Sequence, residues 1–235
     1  MINRFSNSVL KSVAVFCVIT YLASFAQAQV TTTETFENGT NAGGWTWGTG
    51  TEFIVEANGN PGHYLRESNL VSFTPRASTS FGVQSVFTGD YRARNVESVG
   101  IDMAIPSVNG NVSSRKIALI LLNDNGTPDD LSDDWGAFTV TNYPLPPTGV
   151  AGITEPTDIL QWATYDIRVP SQSASLPEGW SWMSRSYLRR NGSWARLMRD
   201  VDHVGFIMGD PAALYPLFSW DVALDNPRIT TSEVQ

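Results

Sequence analysis

Short β-prone runs, each cut off by a turn signal, recur along most of the chain. Phe53–Val55, His63–Val71, Val96–Ile105, Arg115–Leu122, Ala137–Thr141, Tyr165–Val169, Val204–Met208 and Asn226–Thr230 have the apolar and β-branched content of strands. Between them stand Asn58-Gly59-Asn60-Pro61-Gly62, Thr88-Gly89-Asp90, Asn109-Gly110-Asn111, Asn125-Gly126-Thr127-Pro128, Asn191-Gly192 and Gly209-Asp210-Pro211. Residues of these types favour tight turns, so the pattern predicts an all-β, antiparallel sandwich. No stretch sustains a 3.6-residue period with caps at both ends. At most one or two helical turns are expected, with Ser184–Arg190 the best candidate. No repeat of fixed period is visible, which removes propellers and solenoids.

The first residues follow a different pattern. Arg4 and Lys11 precede an apolar run from Val13 to Leu22, and Ala26-Gln27-Ala28 gives a small-x-small cleavage signal. The run is too short for a stable membrane span. Residues 1–28 therefore read as a secretory signal peptide cleaved after Ala28, and the product is expected to be secreted or periplasmic, with no membrane insertion. Cleavage removes Cys17, the single cysteine, so no disulfide is available and burial must stabilise the exported part. Residues 29–235 are long enough for one sandwich domain. The Tyr143–Thr157 stretch, rich in Pro, Gly and Thr, is read as a long loop within it rather than a boundary.

The formal net charge of −8, and the loss of two basic residues with the leader, argue against nucleic acid and anionic lipid as partners. Lys116 is the only lysine beyond the leader, so no polybasic patch exists. Five carboxylates crowd the segment Asn123–Trp135. Aligning Gly126 with the glycine of an EF-hand loop puts Leu121 at the first ligand position and Ser132 at the twelfth, so this is not an EF-hand. A looser cation loop and a solvated turn-rich loop both remain open.

Catalytic motifs are missing. The two histidines, His63 and His203, lie in strand-like runs, and no G-x-S-x-G, H-E-x-x-H or phosphate-cradling glycine loop occurs. Glycoside cleavage needs only two carboxyl groups and leaves no motif, so that reading stays open as the less favoured one. Sugar binding has a clearer route, because pyranose C–H faces stack on indoles. Trp135, Trp162, Trp180 and Trp182 fall in or beside irregular segments and are the candidate ligand-binding residues. Trp180 and Trp182, two apart, point the same way in an extended chain. The alternative is that they cap the core, the role expected of Trp45, Trp47, Trp194 and Trp220.

Thr35-Phe36-Glu37-Asn38-Gly39-Thr40 followed by Gly43-Gly44-Trp45, with the closing Trp220-Asp221-Val222-Ala223-Leu224-Asp225-Asn226-Pro227-Arg228-Ile229, resembles the galactose-binding-like β-sandwich superfamily, which includes many carbohydrate-binding modules. Phe87–Tyr91, Val99–Met103 and Trp194–Val204 look like its laminin B (domain IV) branch. The resemblance implies a jelly roll whose first and last strands lie side by side. Glu37 and Asp225 could then converge on one ion, with Asn60 adding a carbonyl, and members of the superfamily often hold a structural Ca²⁺ there. The alternative is that both acids are solvated or bonded to neighbouring backbone N–H groups. The expected function is an exported, non-catalytic module for carbohydrate or glycoconjugate. The alternative is a structural domain contacting extracellular proteins.

Overall fold

The structure is a computed structural model and describes residues 28–232, apart from Phe81, Pro128, Leu131, 149–159 and 185–191. Twelve strands and one helical turn follow in order: β1 Gln29–Thr33, β2 Trp45–Thr46, β3 Phe53–Gly59, β4 Gly62–Ser72, β5 Arg76–Thr79, β6 Val96–Val108, β7 Lys116–Asn123, β8 Trp135–Pro144, β9 Ala163–Arg168, β10 Trp180–Ser184, α1 Trp194–Leu197, β11 His203–Met208 and β12 Phe218–Ser232. One sheet runs β3-β4-β12-β6-β9, with β1 also paired to β12, and the other runs β10-β8-β7-β11-β5-β2. Every named strand pair is antiparallel. The two sheets form the expected sandwich.

The inward faces follow from alternation. On β6 Val99, Ile101, Met103 and Ile105 enter the core, while Gly100, Asp102 and Ala104 face outward. Across the sandwich β7 contributes Ile117, Leu119 and Leu121, and β11 contributes Val204, Phe206 and Met208. Trp45 meets the edge of Phe87 at 5.2 Å, and Trp194 packs on Trp180 at 4.9 Å. β12 lies between β4 and β6, and its register with β6 shifts between Asp225 and Arg228. Pro227, which has no N–H to offer, sits in that irregularity.

Each of the eight predicted runs coincides with a strand, with Arg115 and Val169 falling just outside β7 and β9. Strands β1, β2, β5 and β10 were not predicted, and β10 occupies part of a segment that the pattern reads as irregular. Of the candidate turn, Ser184 closes β10 and 185–190 lie outside the described residues. The helical turn is Trp194–Leu197, capped by Ser193, whose Oγ accepts the Arg196 N–H at 3.4 Å. Strands from both sides of the Pro-rich segment pair together, β6 with β9 and β8 with β10. The predicted signal peptide lies outside the described residues up to residue 27, and β1 begins at Gln29. No helix among the described residues is long and apolar enough to cross a membrane.

Candidate functional site

The four candidate tryptophans divide by the face of the strand they occupy. Trp180 and Trp182 do point the same way, but that way is inward. Trp180 is buried against Trp194, and Trp182 is half-buried on the core, 6.0 Å from Trp135. Trp135 is buried, and its Nε1 donates to Asn123 Oδ1 at 3.0 Å. These three indoles spend their faces on packing. Trp162 differs: it lies on the outer face of the first sheet, half-buried, with its ring edge-on to Tyr64 at 5.5 Å and 81°. Its Nε1 donates to the Asn58 carbonyl at 3.4 Å.

Polar pairs lie on the same outer face. Tyr64 lies beside Arg66, which donates to both oxygens of Asp221 at 3.0 and 2.5 Å. Burial pushes the Tyr64 phenol above its ordinary value, so it stays protonated. Arg228 donates through Nε and Nη2 to Asp166 at 2.8 and 2.9 Å, and through Nη1 to Asp102 at 3.0 Å. The Tyr165 and Asn226 carbonyls also accept from it, at 3.1 Å each. Bidentate guanidinium–carboxylate pairs fix both partners in orientation. Along β9, Thr164, Asp166 and Arg168 are exposed and alternate with the inward Tyr165 and Ile167. Beyond them a cleft of about 530 Å³ opens, lined by Glu97, Ser98, Asp166, Arg168, Pro170 and Gln172 among others.

The predicted metal-ligating residues, Glu37, Asn60 and Asp225, meet where the chain ends and the β3–β4 turn converge. Asp225 is fully buried and accepts the backbone N–H of Asn60 at 2.6 Å and of Asn226 at 2.7 Å. Glu37 reaches over Gly62, where any Cβ would strike its carboxylate, and accepts the His63 N–H at 3.0 Å. Bonds from the His63 ring and backbone hold Glu37 below the usual carboxylate range. Sequence reasoning missed Asp102, whose Oδ2 accepts the Asn60 and Asn226 side-chain amides at 3.1 and 3.0 Å. Its signal was an isolated acid inside the apolar Val99–Ile105 run. Asp225 is pushed up to about 7, by burial first and then by the charges of Asp102 and Glu37.

Among the described residues, no three Asp, Glu, His or Cys side chains close on one metal-sized point. A cation here would have to draw on amide and backbone oxygens as well, which suits Ca²⁺. Asp102 and Glu37 act on Asp225 through their charge, and the guanidinium of Arg228 bonds Asp102 and Asp166.

The acidic loop is bonded within itself. Asp133 accepts from Thr127 Oγ1 and Asn125 Nδ2 at 2.9 Å each, and Asp124 Oδ1 accepts the Gly126 N–H at 2.8 Å. At its root Asp202 Oδ2 accepts from Asn123 Nδ2 and the Asp124 N–H at 2.9 and 3.0 Å. His63 meets Glu37 at 3.0 Å through Nδ1, and His203 is buried.

No protein-family model matches the sequence, and no curated protein does either. Solved structures with a similar course include the family 11 carbohydrate-binding module from Clostridium thermocellum, in complex with a β-1,3-1,4-mixed-linked tetrasaccharide. It is 16% identical, with a TM-score of 0.43 over 85% of this chain and 94% of that one. The K1 cleaved adhesin domain of Lys-gingipain from Porphyromonas gingivalis W83 is 14% identical, with a TM-score of 0.39 over 85% and 97% of the two chains. An exo-β-agarase is 15% identical, with a TM-score of 0.44 over 86% of this chain and 25% of that one.

Proposed function

We propose that this chain is an exported, non-catalytic carbohydrate-binding module. The observation that carries the reading is Trp162, a partly buried indole on the outer face of the first sheet, braced by Tyr64, on the face that also carries the oriented Arg66–Asp221 and Arg228–Asp166 pairs. An aromatic face for C–H stacking beside fixed donors and acceptors is what a pyranose requires. A Ca²⁺ ion is proposed as a structural partner. Asp225 and Glu37 with the Asn60 carbonyl would hold it, and it would neutralise their charge and tie β12 to the β3–β4 turn.

Titration of the mature protein against a panel of soluble polysaccharides tests the reading, with Trp162→Ala as the control. Binding that disappears in the variant supports it, and the absence of any binding by the unmodified protein overturns it. A second reading, contact with another protein, is favoured by the exposed apolar tip of Val71, Phe73, Leu214 and Leu217. It predicts that Leu214→Ser, and not Trp162→Ala, abolishes binding to a partner.

A further inference from the structure

Trp162 stands at one end of a straight row, and the cleft beside Glu97 stands at the other. The side chains of Thr164, Asp166 and Arg168 fall on one side of β9, because alternate residues of a strand share a face, and Trp162, just before the strand, packs on the same outer face beside Tyr64 and Ala104. Six residues of strand at about 3.3 Å each give the row a length of roughly 20 Å, the scale of a short oligosaccharide rather than a single ring.

Each position along it offers something different. Trp162 supplies an apolar ring. Asp166 is an acceptor already oriented by the two bonds from Arg228, so little entropy is lost in using it. Gly100, directly opposite Asp166 in the register, leaves room that any Cβ would take, since it would fall 2.2 Å from an Asp166 oxygen. Arg168 is exposed at the mouth of the 530 Å³ cleft, and no hydrogen bond or ion pair among the described residues engages its guanidinium. Glu97, which accepts from Gln29 Nε2, and Gln172, which donates to the Arg92 carbonyl, line the same cleft.

Resting on the carbohydrate reading, we infer that this outward row of β9 is a binding track for an extended, uncharged oligosaccharide, running from Trp162 to the Glu97–Arg168 cleft. The lack of charge in the ligand follows from the surroundings. Along the track Asp166 is matched by Arg228 and Glu97 by Arg168, so it offers no surplus positive charge to hold a polyuronate. β9 also lies at the edge of its sheet, and outward charges there are a common guard against edge pairing. Binding separates that role from recognition.

The test is calorimetric titration with xylan, galactomannan and mixed-linkage glucan oligosaccharides of increasing length, and with polygalacturonate. Unmodified protein, Arg168→Ala, Glu97→Gln and Trp162→Ala are compared. Affinity is expected to rise with length until the track is filled. Arg168→Ala should weaken binding about tenfold with an unchanged melting temperature, the effect of losing a charged hydrogen-bond donor. Binding that is lost in Trp162→Ala but untouched in Arg168→Ala and Glu97→Gln overturns the track and leaves the carbohydrate reading standing. Preference for polygalacturonate overturns the inferred ligand class. Unmodified protein that binds no member of the panel overturns both readings together.

Discussion

Asp225 accepts the backbone N–H of Asn60 at 2.6 Å although 165 residues separate them. The bond ties β12 to the β3–β4 turn and buries a carboxylate beside Asp102 and Glu37. Ca²⁺ bound at one hundred times its dissociation constant adds about 2.7 kcal/mol of stability. In a domain of this size that is a rise of about 5–10 °C in melting temperature. The expected result is such a rise with Ca²⁺, reversed by chelator and absent from Asp225→Ala. Identical melting curves with and without chelator would refute the ion.

The two kinds of tryptophan predict opposite behaviour. Trp194 is fully buried against Trp180, and its Nε1 donates to the Pro170 carbonyl at 3.1 Å. Trp194→Ala should cost about 3–5 kcal/mol in urea unfolding. Trp162→Ala, at a half-buried site, should cost about 1–2 kcal/mol and abolish glycan binding. A Trp162→Ala protein that still binds glycan would exclude the indole from the site.

The same contrast explains what was legible in the sequence. β7 and β11 are nearly continuous apolar runs, and β6 is one interrupted by Asp102, so all three stand out unaided. β2 and β5 have two and four residues, and only their pairing with each other and with β11 makes them strands. Alternation correctly puts Trp180 and Trp182 on one side of β10. Which side meets the core depends on pairing with Thr139 and Ala137, which alternation cannot specify. Asp102 and Arg228 belong to the Asp225 and Asp166 networks through register alone, since 126 positions separate them.

Asp202 makes stability depend on pH. Burial, with Asp200 and Asp124 close by, pushes its carboxyl up to about 7 from an ordinary 3.8. The unfolded chain therefore loses this proton first as pH rises, and the native state binds more protons between those two values. Stability from this group is full below the unfolded value and is lost as pH climbs through the folded one. For a half-buried group, solvent screening limits the effect to roughly 1–2 kcal/mol. Asp202→Asn, whose amide can donate to Asp124 without titrating, should be more stable than the unmodified protein above neutrality and equal to it near pH 4. Chemical denaturation across that range measures the slope, and an unchanged slope in the variant would assign the dependence to other groups.

Arg115 holds the root of the exposed apolar tip. Its guanidinium is almost wholly buried, 4.2 Å from the ring centre of Tyr215, 5.1 Å from Trp220 and 5.3 Å from Phe218, and Nη1 donates to the Phe73 carbonyl at 2.5 Å. Desolvated cation–π contact contributes on the order of 2 kcal/mol, and a carbonyl left unpaired costs about 1–3 kcal/mol. Arg115→Ala should therefore destabilise the fold by about 2–4 kcal/mol. Arg115→Lys should not restore it, because an ammonium lacks the plane that stacks on Tyr215. Leu214, fully exposed on the same loop, packs on nothing that its loss would disturb. Leu214→Ser should change stability by no more than about 0.5 kcal/mol. Urea unfolding of the three variants measures this, and an Arg115→Ala protein as stable as Leu214→Ser would show that the rings hold the loop without the cation.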